Sequence, residues 1–143
     1  MKIRATGMYK TAILFVASIF SVIAGQQTDQ PVHPKSDSVY AELGHAPEKA
    51  RAKRNPLEND REAVAAGRII FHQRCAECHG NNAEGGKKGP SLHAAEVQVA
   101  EPGAIFWILT NGVVRKGMPV WSKLPEPQRW QLVSYIKSLE TTR

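Results

Sequence analysis

Both cysteines of this chain lie in the stretch Cys75-Ala76-Glu77-Cys78-His79, with a histidine directly behind the second thiol. Closely spaced thiols serve few chemistries. A disulfide across two intervening residues closes a tight ring, restricts the unfolded chain little and is a poor structural staple. A thioredoxin-like pair needs a strand before it and a βαβ pattern around it, and the flanking sequence has neither. A zinc site needs a second pair of ligands at zinc spacing. No further cysteine exists, and His33, His45, His72 and His93 form no compact pair.

The reading that uses every residue of the stretch is covalent haem attachment. Cys75 and Cys78 each add to one vinyl group, and His79 is then carried under the iron as proximal ligand. With this Cys-x-x-Cys-His signature the sequence resembles the class I cytochromes c. That resemblance implies an all-α cytochrome c fold, with three to five helices wrapped around one covalently bound haem c and the first and last helices of the domain crossing. One copy of the motif implies one haem per chain.

A low-spin electron carrier needs a second axial donor, and a thioether raises the potential relative to a second nitrogen. Of three methionines, Met1 and Met8 are expected to leave with a signal peptide over residues 1–25, leaving Met118 in Gly112-Val113-Val114-Arg115-Lys116-Gly117-Met118-Pro119-Val120-Trp121. Gly117 and Pro119 specify a loop around the sulfur. A methionine is otherwise an adaptable core filler, but this Gly-Met-Pro loop resembles the family's distal-ligand loop. Gly89-Pro90-Ser91-Leu92 likewise resembles a family segment in which the proline carbonyl accepts the proximal imidazole N–H, a bond that orients the ring and raises its basicity. The resemblance assigns that carbonyl to Pro90 and places Leu92 facing the haem. The bland alternative is a plain Gly-Pro turn. Trp121 is expected to line the haem pocket.

Elements able to position these residues are legible as amphipathic segments. Residues 60 to 74 place Val64, Gly67 and Phe71 on one face behind an Asn59 or Asp60 cap. Residues 127 to 140 place Leu132, Tyr135, Ile136 and Leu139 on another. Gly67 and Phe71 are expected to meet Leu132 and Tyr135, the missing side chain at Gly67 permitting a close crossing at about 1 kcal/mol of helix propensity. Residues 102 to 110 read as a short apolar helix carrying Trp107 and ended by Asn111-Gly112.

Upstream, Lys2, Arg4 and Lys10 precede an apolar run from residue 11 to 24, read as a signal peptide over residues 1–25 that is cleaved on export to the periplasm. An inner-membrane anchor over residues 11–25 is the alternative, although the run is short for a span of about 20 residues. Residues 26–57, with Pro31, Pro34, Pro47 and Pro56, lack a sustained apolar period and are expected to form an extended or partly ordered leader, with a weak helix over 46–53 and solvated His33 and His45. The haem domain is expected over 58–143.

The precursor carries a net charge of +6, falling to about +3 without the signal peptide and about +1 with two haem propionates. Its basic residues lack the density and aromatic interleaving of a nucleic-acid site. Lys87, Lys88, Arg115, Lys116 and Lys123 are expected to ring the haem crevice and steer it toward acidic docking faces. With His79 and Met118 closing both axial positions, the expected function is a soluble electron carrier, not an enzyme. It would serve larger redox proteins such as a quinoprotein dehydrogenase, a quinol-oxidising complex or a terminal oxidase. The alternatives are a haem-based sensor or peroxidase-like enzyme with a labile Met118 and a distal His93 or Arg115, and an electron-transfer subunit docked permanently on a dehydrogenase.

Overall fold

Asp60 starts the first long helix of the domain. Its Oδ1 accepts from the backbone N–H groups of Glu62 at 2.9 Å and Ala63 at 3.1 Å, satisfying donors that an uncapped helix leaves unpaired. Asn59, the other candidate cap, adopts a positive φ of 65° just outside the helix. The computed structural model describes residues 39–139. The expected signal peptide, and the expected leader up to residue 38, lie outside the described residues.

The helices run α1 (Ala41–Gly44), α2 (Glu48–Arg51), α3 (Arg61–Arg74), α4 (Ala76–His79), α5 (Ala95–Val99), α6 (Pro102–Asn111) and α7 (Glu126–Ser138). Among the described residues there is no strand, only an isolated bridge between Val113 and Met118. The expected all-α fold is present. The helix number exceeds three to five because α1, α2, α4 and α5 are single turns, too short to show a hydrophobic period.

Helix α3 buries Ala63, Gly67 and Phe71, spaced one helical turn apart. Val64, expected on that face, is half-buried and packs against the core, with Ala63 more deeply buried beside it. On α7 the expected Leu132, Tyr135 and Ile136 are buried, as is Leu139 just beyond its end, together with Trp130, Val133 and Ser134. The two helices cross at Gly67. A Cβ there would run into the carbonyl of Gln131 and lie 3.0 Å from the Tyr135 Cβ. One turn on, the Phe71 and Tyr135 rings are 5.1 Å apart.

Helix α6 opens on Pro102, whose missing N–H costs nothing in a first turn, and ends at Gly112, whose N–H donates to Ile108 O. Its Phe106 stacks on Trp130 of α7 at 4.1 Å, while Trp107 is half-buried.

Of the extended or partly ordered leader expected up to residue 57, the weak helix over 46–53 is present as α2 (Glu48–Arg51), but residues 39–57 pack on the domain and are not extended. Ala41 and Ala46 are buried, and Gly103 of α6 packs so closely on the backbone carbonyls of Ala50, Arg51 and Lys53 that a Cβ would not fit. Buried Asn55 donates to Ser134 Oγ at 2.8 Å, and that hydroxyl donates to Leu57 O at 3.1 Å. This segment is part of the helical domain. It buries itself through alanines, backbone and one amide, none of which produces an apolar period.

Candidate functional site

Helix α3 delivers the chain to Cys75, and the single turn α4 then sets the spacing of the motif. The N–H groups of Cys78 and His79 both donate to Cys75 O, at 3.1 and 3.0 Å, so one helical turn presents two thiols and an imidazole together. The thiols are not joined in a disulfide. Burial first, and the neighbouring Cys78 second, push the Cys75 thiol up to about 11. This is the reverse of the lowered value a thiol-exchange site requires.

His79 Nδ1 lies 2.8 Å from Pro90 O. A carbonyl only accepts, so Nδ1 carries the proton and Nε2 keeps its lone pair for a metal. The loop that supplies Pro90 is closed on itself by Gly85 N to His79 O at 2.7 Å, Gly86 N to Gly89 O at 2.9 Å and Leu92 N to Ala83 O at 2.8 Å. At Gly89 a Cβ would lie 2.9 Å from Cys78 O and 3.2 Å from His79 Cε1, so the loop backbone packs directly on the motif.

The second loop follows α6. Val113 N donates to Met118 O at 3.0 Å and Met118 N to Val113 O at 3.2 Å, closing a 3-10 turn over Val114–Lys116. Gly117 takes the left-handed conformation at φ 85° that the reversal needs. Trp121 is tied to α6 through its N–H to Leu109 O at 3.0 Å.

These elements enclose one cavity of about 770 Å³, within the usual range for a cofactor site. Cys75, Cys78, His79, Pro90, Leu92, Met118 and Trp121, the residues singled out in the sequence, all line it. Phe71, Val97, Ile105, Ile108, Leu109 and Ile136 complete an apolar wall. Two thiols for covalent attachment, an imidazole with its second nitrogen free, a thioether and an apolar chamber form a donor set that fits a haem. A structural zinc site does not fit, since among the described residues no group of three metal-ligating side chains converges.

Around the cavity the charges are more balanced than expected. Lys87, Lys88 and Lys116 line it, whereas Arg115 and Lys123 do not. Lys88 Nζ is 2.7 Å from Glu77 Oε1, and this hydrogen bond holds the Glu77 carboxyl low and the Lys88 ammonium high. Arg115 and Lys116 face Glu42 at 3.6 and 3.7 Å. Hydrogen bonding to His45 chiefly, with Lys116 and Arg115 behind it, holds the Glu42 carboxyl below the usual range. His93, the other candidate distal group, does not line the cavity, and its Nε2 is 2.7 Å from Asn82 O.

Sequence reasoning missed two contributions. Tyr40, Glu42 and Leu43 line the cavity from the segment expected to be a leader. Buried Gln98 donates through Nε2 to Leu92 O at 2.6 Å and Ile136 O at 3.1 Å, joining the cavity wall to α7. An isolated Tyr-Ala-Glu-Leu run was the sole signal for the first; a lone glutamine offers none.

Residues 62–136 match the family described as cytochrome c oxidase, cbb3-type, subunit III. Among solved structures the chain is similar to cytochrome cL from the marine methylotrophic bacterium Methylophaga aminisulfidivorans MPT. The identity is 26% and the TM-score 0.54, over 68% of this chain and 66% of that one. The chain thus spans just under two thirds of that protein's length. No curated protein sequence matches it.

Proposed function

Because the chain belongs to the family of cytochrome c oxidase, cbb3-type, subunit III, a c-type cytochrome domain that transfers electrons through covalent haem c, we propose that it is an exported, freely diffusing electron carrier between larger redox proteins. Haem c supplies a one-electron ferric/ferrous couple. Cys75 and Cys78 would hold it through thioether bonds, and His79 and Met118 would ligate its iron. The carrying observation is that the His79 imidazole, its Nδ1 committed to Pro90 O, shares one apolar cavity with both thiols and the Met118 thioether.

Each residue has a role that follows from its chemistry. Pro90 O orients the imidazole and raises its basicity. The bridge between Val113 and Met118 holds the thioether loop in one conformation, which supports small reorganisation between oxidation states. The apolar wall would lower the polarity around the haem and favour the less charged ferrous state. With His79 and Met118 both holding the iron, no coordination position would be open to a substrate, which is the ground for proposing a carrier and not an enzyme.

Export rests on the basic and apolar pattern of residues 1–25. No described helix is long and apolar enough to cross a membrane. The family's description favours a second reading, in which the domain is docked permanently on a terminal oxidase. Size-exclusion chromatography of the native protein separates the two: a carrier elutes alone, and a docked subunit elutes with its complex.

The electronic spectrum of the reduced, haem-loaded protein with and without carbon monoxide tests the site. An unchanged spectrum is expected. Rapid formation of a CO adduct overturns the ligation by Met118 and points to sensing or peroxide chemistry.

A further inference from the structure

Helix α1 lies in the segment that carries no part of the haem motif, yet its first turn reaches both loops that bear on the axial ligands. Tyr40, at its N-cap, donates through its hydroxyl to Ser91 O at 3.0 Å. Ser91 directly follows Pro90, whose carbonyl accepts from His79. Two residues further along α1, Glu42 faces Arg115 and Lys116 of the 3-10 turn that leads through Gly117 into Met118. Leu43, next in the chain, packs against the hydrophobic core and holds the turn in place.

We propose that residues 39–44 form a strap that positions both axial-ligand loops, Tyr40 bracing the Pro90 loop and Glu42 bracing the Met118 loop. It rests on the reading that His79 and Met118 ligate the haem iron. Isolated surface ion pairs contribute little, but this one differs in two respects. The Glu42 side chain is only 15% exposed, and three basic groups converge on it: His45 at 3.2 Å, Arg115 and Lys116. Tyr40 is half-buried, and its bond to Ser91 spans 51 positions of sequence. Both residues line the cavity itself, so the strap is a third wall of the haem chamber, joined to the other two.

Tyr40 and Glu42 act through the two loops they brace, so both are positioning residues. Loosening the Met118 loop should let the thioether leave the iron more often without changing the motif that attaches the haem. Loosening the Pro90 loop should leave the thioether in place and disturb the proximal side.

The test uses the haem-loaded full chain carrying Glu42→Gln, Tyr40→Phe or, as a control on an ion pair whose members Arg51 and Glu101 do not line the cavity, Glu101→Gln. Amide hydrogen exchange and the rate of CO binding to the reduced protein are read for each. Glu42→Gln is expected to speed exchange in residues 112–121 and CO binding by about five-fold. Tyr40→Phe is expected to speed exchange in residues 85–92 with CO binding unchanged. If both variants exchange like Glu101→Gln while the parent protein resists CO, the strap is refuted and the ligation stands. If the parent protein binds CO readily but the two segment-specific changes appear, the ligation falls and the strap remains as a brace of the cavity loops.

Discussion

Gly67 of α3 lies against the backbone of Gln131 in α7 so closely that even a methyl group at Gly67 would overlap the Gln131 carbonyl. Alanine at this position would gain about 1 kcal/mol of helix propensity. It would also drive the two longest helices apart and disturb Phe71 against Tyr135, and overpacking of this kind costs more than the propensity returns. Gly67→Ala is expected to destabilise the haem-loaded protein by about 2–3 kcal/mol, read from denaturant unfolding followed by far-UV circular dichroism. A variant as stable as the parent would mean that the crossing is looser than described.

Asn55 tests whether residues 39–57 belong to the domain. Its amide donates to Ser134 Oγ, and its Oδ1 accepts from Leu57 N at 2.9 Å. Asn55→Ala removes the donor to Ser134 Oγ and the acceptor of Leu57 N, and leaves a cavity between the segment and α7, at about 1–3 kcal/mol. Thermal melting of the variant should therefore fall by several degrees. An unstructured leader would show no change.

Gly89 reports on the proximal loop. Gly89→Ala places a methyl group against Cys78 O and the His79 ring, which weakens the Nδ1–H bond to Pro90 and makes the imidazole a poorer donor. The ferric state loses stabilisation, so the reduction potential should rise by about 20–60 mV. Redox titration followed optically measures it. A fall in potential would show that Pro90 O does not set the basicity of His79.

Removing the attachment residues tests the dependence of the fold on the cofactor. A cavity of about 770 Å³ lined by core residues is a large fraction of the interior of so small a domain, and a chain this size has little other burial in reserve. The double variant Cys75→Ser, Cys78→Ser should release its haem into acidified organic solvent and lose most of its helical circular dichroism once the haem is extracted. Retention of full helicity without haem would show that the polypeptide core suffices.

The apolar periods of α3 and α7 were readable because each helix turns one face to the core over three or more turns, long enough for Phe71, Leu132, Tyr135 and Ile136 to repeat. Asp60 was readable as a cap because the interaction is local. That Ala63 is buried more deeply than Val64 was not, since hydrophobicity ranks the larger residue first while the crossing at Gly67 demands small ones. Residues 39–57 were misjudged for a related reason. Single turns packed through Ala41, Ala46 and backbone carbonyls leave no periodic trace.

The sequence by itself determined the cofactor and how it is attached, because covalent haem requires Cys75, Cys78 and His79 within one helical turn and that geometry is written in consecutive residues. It also singled out Met118, Pro90 and Leu92 as types. Only the tertiary structure decided that these distant loops share one cavity with the motif, that Tyr40 and Glu42 reach both of them, and that Gln98 ties the wall to α7. Those relationships depend on which backbones approach, and close approach is set by packing among elements far apart in the chain, where no local pattern can record it.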